Sequence, residues 1–189
     1  CSSGSPGELI VNGMSGTDRS GSWSNTALIG SVNISSWPEA LVVREQVERN
    51  CFLEAGMNYD APAQTVRAFQ NSVRGDLPAS SYRPGLASRD LTKILPPPLV
   101  TMLHASLGRL SSRLRGVNDG LLIAPESRVT PPYRYLRDKT GFVAENIMFI
   151  GEGSGFASGI STSAMDGMRV AMNFVHGVRG GKGTTTEPE

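Results

Sequence analysis

Apolar residues recur at helical spacing in three stretches of the chain. In "SSWPEALVVREQVERNCFLEAG", Ala40, Val43, Val47, Cys51 and Ala55 share one line, and Glu45, Glu48 and Arg49 lie off it. Ser36 suits the cap of this helix, Pro38 its first position and Gly56 its stop. A second helix is predicted from about Pro62 in "APAQTVRAFQNSV", with Val66, Phe69 and Val73 as its apolar line. A third starts near Pro98 and carries Leu99, Leu103, Leu107, Leu110 and Leu114 up to Gly116, a stripe that core packing explains. Shorter apolar runs read as strands: "ELIVN" at residues 8–12, "TALIGSV" at 26–32, and "GLLIAP", "YRYLRD" and "NIMFIG" after Gly116. The last of these feeds a glycine-rich loop and a final helix over residues 159–178. Residues 74–90 show no periodicity and read as a loop, and the polar tail at 179–189 reads as disordered.

The 189 residues suffice for one sizeable domain or two small ones, and 39% hydrophobic with 19% charged residues describes a globular protein. A net charge of +1 gives no pull toward nucleic acid or an anionic membrane surface. No apolar run reaches the ~20 residues of a membrane span. Cys1 and Cys51 could form one bridge at most, and such sparse usage fits two free thiols in a reducing compartment. His104 and His176 stand far apart, and no Cys or His pair has metal-ligand spacing, so no metal site is expected. The same scarcity leaves no nucleophile–base triad, and catalytic residues stay unassigned. Trp23 and Trp37 read as core or interface anchors. The opening "CSSGSPG" reads as a flexible lead-in, which fits either a processed N-terminus or a piece of a longer protein.

The chemistry concentrates in "FIGEGSGFASGISTSAMDGMRV", residues 149–170. Gly151, Gly153, Gly155 and Gly159 remove side chains where the backbone must turn or approach a ligand. The helix that follows points free N–H groups and its positive dipole end at the loop, which favours an anion or an electron-rich oxygen. The spacing is neither that of a first dinucleotide turn nor that of a P-loop. On the residues alone, a ligand site and a strand-to-helix turn that needs glycine for packing both stand. Asp166 and Arg169, three apart on the helix, read as an ordinary side-chain pair, and Gly167 as a site of close helix–sheet packing.

Five stretches, in order, carry a resemblance: "VNGMS" at 11–15, "NYDAPAQ" at 58–64, "SYRPG" at 81–85, "PESRVTPPYRYLRD" at 125–138 and "IGEGSGFASGI" at 150–160. Together they resemble the two-domain FAD-dependent oxidoreductases, in particular the FAD-dependent dehydrogenase family of bacteria and plant plastids. The loop departs from that family at Ser154, Phe156 and Ser158, where its members often carry Ala, Tyr and Gly.

The resemblance implies an α/β fold in which residues 1–118 belong to an inserted, substrate-type domain. Residues 119–178 would then be the C-terminal return of a Rossmann-like FAD-binding domain, with the ADP-binding segment outside this chain. It further implies that Gly151, Glu152, Gly153, Gly155, Ser158, Gly159 and Ile160 face the isoalloxazine and ribityl end of FAD. NAD(P)H would be the electron donor. The flavin does the hydride chemistry, and a helix N-terminus beside it stabilises the reduced form. Arg83 and Arg128 could meet an acidic substrate; equally, Arg83 could stabilise its loop and Arg128 could pair with Glu126. The partner would be the N-terminal FAD segment or other protein subunits. A different reading also fits: a non-catalytic structural subunit of a larger, plastid-type assembly that has lost FAD. A plastid stroma and a cytoplasm both suit the resemblance. If the loop holds flavin, Gly159→Val should abolish binding; if it does not, and φ at residue 159 is negative, the change should cost only helix propensity.

Overall fold

The computed structural model describes residues 4–13, 16–129, 131 and 133–179. The segment at 179–189 read as disordered therefore lies, beyond residue 179, outside the described residues. The chain divides into two compact units, residues 1–127 and 128–189.

The first unit begins its regular structure with α1 (Trp37–Ala55), bounded as its end signals predict. Ser36 Oγ accepts from Glu39 N–H at 3.4 Å, and Glu39 Oε2 accepts from Ser35 N–H at 3.0 Å. Gly56 closes the helix with φ 106°, a conformation that L-residues avoid. Cys51 and Ala55 are buried, as their spacing predicts, but Glu48 is buried beside them. Ser127 Oγ donates to Glu48 Oε1 at 2.6 Å, and Arg44 Nε stands 3.5 Å away. These partners make burial of the carboxylate tolerable, and Ser127 lies 79 residues off in sequence.

The predicted helix from Pro62 gives way to a strand. β1 (Ala61–Thr65) precedes a short α2 (Val66–Gln70), capped by Thr65 Oγ1 accepting from Ala68 N–H. Ala61, Pro62, Ala63 and Gln64 are all buried, so burial on both faces overrides the weak local preference of "APAQT". β1 pairs in parallel with β2 (Leu86–Ser88) and antiparallel with β3 (Leu121–Ile123), giving the order β2-β1-β3. Pro62 fits a central strand because its missing N–H falls where the β1/β3 ladder ends; its carbonyl still accepts from Ala124 N–H at 3.1 Å. The stretch at 74–90 read as loop thus contains β2, and α3 (Leu91–Ile94) follows it.

α4 (Pro97–Arg113) presents part of its leucine stripe, with Leu107 buried and Leu99 and Leu103 packed on the core; Leu114, expected on the same stripe, lies past the helix end and is exposed. Leu9, Cys51, Phe69, Leu91 and Ile94 form the centre of that core. Residues 8–12 and 26–32, read as strands, form none; Val11 makes a single bridge. Trp23 and Trp37 are 41% and 44% exposed and lie outside the core.

The second unit is small. β4 (Phe142–Ala144) pairs antiparallel with β5 (Ile147–Met148), and the chain leaves β5 through the glycine loop into α5 (Ile160–Arg179). "YRYLRD" forms no strand among the described residues. Val170 is the one buried apolar residue of this unit among those described; Ser154 and Asp166 are the buried polar ones. The fold is therefore mixed α/β with two small sheets.

Candidate functional site

The glycine loop joins β5 to α5 inside the second unit. Gly151 takes φ 71° and ψ −150°, a region open essentially to glycine, and a 3₁₀ turn follows at Glu152–Ser154. Gly155 (φ 77°) must also be glycine for packing: an added Cβ would strike the Tyr133 carbonyl oxygen and lie 2.9 Å from Arg134 Cα. Tyr135 N–H donates to Ser154 O at 3.1 Å and Arg134 Nε to Gly155 O at 3.1 Å, so residues 134–135 run alongside the turn. At Gly153 an added Cβ would meet nothing within 4 Å, and φ is not positive.

A buried carboxylate holds the loop to the helix. Asp166, in the second turn of α5, accepts from Arg137 Nη2 at 2.6 Å, Arg137 Nη1 at 2.9 Å, Arg169 Nη2 at 2.8 Å and Gly151 N–H at 2.9 Å. The Asp166 and Arg137 side chains are 5% and 3% exposed. Hydrogen bonds from Arg137 hold the Asp166 carboxyl well below the usual carboxylate range, against the opposing effect of its burial. Arg137 Nη1 also donates to Phe149 O at 2.6 Å, and the Phe156 ring lies 3.8 Å from the guanidinium. The expected Asp166–Arg169 pair is present, but Arg137 is the main partner, and sequence spacing gave no sign of it. Gly167 is not required for close packing, since an added Cβ would stand 3.9 Å from Ile150.

Several loop amides are engaged within the chain. Gly151 N–H goes to Asp166, Gly155 N–H to Glu152 O at 2.9 Å, and Ser158 N–H to Thr162 Oγ1 at 3.2 Å. Gly159 and Ile160 follow at the exposed start of α5, and their amides meet no acceptor among the described residues. Gly159 has φ 82°, with nothing within 4 Å of an added Cβ. Its positive φ removes the condition for reading Gly159→Val: any L side chain there is strained, whatever the loop binds.

Of the other residues singled out, Arg83 is exposed in the first unit, before β2, and Arg128 is exposed at the start of the second. His104 stacks on Phe69 in the first unit, with ring centroids 4.6 Å apart. The Cys51 thiol is free and buried; desolvation, with a lesser push from Glu48, raises it to about 12 and makes it inert. Among the described residues no group of three or more His, Cys, Asp or Glu could hold a metal. No helix of the described residues is long and apolar enough to cross a membrane.

Comparison with known proteins gives two findings. An uncharacterized protein of Clostridium beijerinckii is 30% identical over 182 residues, covering 89% of this chain. This chain spans 34% of that relative's length. The family described as FAD-dependent protein, C-terminal domain-like, matches residues 1–129, which contain the whole first unit and stop short of the glycine loop. With two thirds of its length inside that match, the chain belongs to this family, which relates it to flavoproteins.

Proposed function

We propose that this chain is the C-terminal part of an FAD-dependent oxidoreductase and that the start of α5 faces the electron-rich end of the flavin. The observation that carries the reading is the family membership over residues 1–129. The loop geometry supports it. An exposed helix N-terminus with open amides at Gly159 and Ile160 suits a group that carries negative charge when reduced. The bare surface around Gly159 allows a ring to approach the backbone closely. When bound, the flavin supplies the hydride chemistry. The chain's own contribution is to orient the ring and offset its charge, by ~1.5–3 kcal/mol per charge-assisted bond.

On this reading the ADP end of FAD is held by a segment corresponding to the rest of the longer relative, and the second unit completes a Rossmann-like FAD domain. Gly151, Gly153, Gly155 and Ser158 then shape the loop, Glu152 sits in its turn, and the open amides of Gly159 and Ile160 make the contact. NAD(P)H is the reductant to test first. Arg83 and Arg128 remain candidates for an acidic substrate.

Ser161→Glu in the complete protein tests the loop's role. Ser161 is exposed in the first turn of α5, where an acidic residue favours the helix. A carboxylate there opposes an electron-rich ligand. Thermal stability should hold or rise, while FAD affinity falls by roughly tenfold. Unchanged FAD affinity would show that the loop does not face the flavin. Intact mass of the native protein separates the alternative of a non-catalytic subunit: a chain near 20.1 kDa that binds no FAD supports that reading instead.

A further inference from the structure

We infer that Arg137 and Asp166 are positioning residues of the flavin loop, which fix the backbone of residues 149–159 in its ligand-ready shape before any cofactor arrives. The inference rests on the flavin reading above and adds to it how the loop is prepared.

A loop with glycine at four of nine positions (151, 153, 155 and 159) has much conformational freedom to lose. If binding had to order it, affinity would fall; a loop ordered in advance avoids that loss. The buried pair supplies such ordering at the start of the loop and ties it to α5. Arg137 Nη1 donates to Phe149 O at 2.6 Å, where β5 gives way to the loop. Asp166 accepts from Gly151 N–H at 2.9 Å and so holds that residue at φ 71°, ψ −150°, which little else would favour. The guanidinium face carries the Phe156 ring at 3.8 Å, in the middle of the loop. Asp166 itself sits on α5, so the loop and the helix N-terminus move as one body. A pair that only filled the interior would need its mutual bonds alone. This one directs two hydrogen bonds at the loop backbone.

The experiment uses the complete protein, stripped of flavin and titrated with FAD. In the double variant Arg137→Met with Asp166→Leu, an apolar pair replaces the ionic one, a change that folded proteins often tolerate. The expected result is a folded protein with flavin-free melting temperature near that of the parent. Its FAD affinity falls at least about tenfold, the cost of ordering one to two backbone residues on binding. The midpoint potential of its bound flavin falls, because the helix start is no longer aimed. Phe156→Leu, which leaves the pair intact, should lower affinity several-fold. Arg169→Gln should leave it unchanged, since the Arg169 side chain is 62% exposed and touches Asp166 from outside. A folded double variant with parental affinity and potential overturns the inference. Should the double variant fail to fold, Phe156→Leu decides: parental affinity and potential overturn it. A parent that binds no flavin overturns the functional reading and this inference together; a flavin-binding parent with unaffected variants overturns this inference alone.

Discussion

Asp166 gathers four donors on two oxygens while its side chain is 5% exposed. Asp166→Asn leaves the Arg137 charge buried without its counter-ion, and the second unit should lose about 3 kcal/mol. That is the low end for breaking a buried pair, because Arg169 leaves one side of the site open to water. The folded carboxyl titrates below its unfolded value of about 3.9, so the stabilisation is full above that pH and is lost as pH falls through the folded value. Urea unfolding at neutral pH and in acid should show a loss in the parent that Asp166→Asn lacks; equal acid sensitivity would contradict this. Gly155 and Gly153 form a second contrast. Gly155→Ala meets both a positive φ and the backbone of residues 133–134, and should destabilise by roughly 1–3 kcal/mol. Gly153→Ala, with open space and no positive φ, should lie within about 0.5 kcal/mol of the parent by the same unfolding measurement.

The long helices were legible from their ends, whereas the short α3 was missed despite its Asp90 cap and α2 was expected too early despite its Thr65 cap. Ser36, Pro38 and Gly56 mark α1, and the structure bounds that helix at Trp37–Ala55. Ser36→Ala should cost about 1 kcal/mol in the thermal or urea unfolding of the first unit, since its Oγ caps Glu39 N–H; no change would mean the cap contributes nothing. The strands were less legible. β1 contains no Val, Ile or aromatic residue, and its burial comes from neighbours far along the chain, so its own sequence reads as a helix start. "YRYLRD" showed the opposite fault: its aromatic residues suggested a strand, but they pack edge-on against one another and against Phe149 without a ladder. The glycine loop and α5 were legible because turn glycines and a helix start are neighbours in sequence. Arg137 was not, because it lies 29 residues before its carboxylate and no spacing rule connects them. The same holds for Ser127, which makes burial of Glu48 possible although Glu48 lies off the apolar line of α1.

The two units have unequal interiors. The first has a continuous apolar core, whereas the second buries Val170 as its sole apolar residue among those described. α5 instead exposes Met165, Met168, Met172 and Val175, each between 44% and 63%, at spacings of three and four. Covering the exposed part of one such methionine contributes about 1–2 kcal/mol, so this line suits a helix that packs against further protein. In the complete protein, peroxide should oxidise Met165, Met168 and Met172 more slowly than in the denatured chain; equal rates would show that the face stays bare. This chain spans 34% of the length of its Clostridium relative, and the rest of such a protein is where the cover and the ADP site are proposed to lie. The central claim is that this chain serves a flavin. Its most direct test is the flavin content of the complete native protein, read from visible absorption and from FAD released on denaturation. A chain that serves a flavin gives a yellow protein with stoichiometric FAD, or a colourless one that takes up added FAD and gains its absorption band. A protein that purifies colourless and binds no added FAD would contradict it.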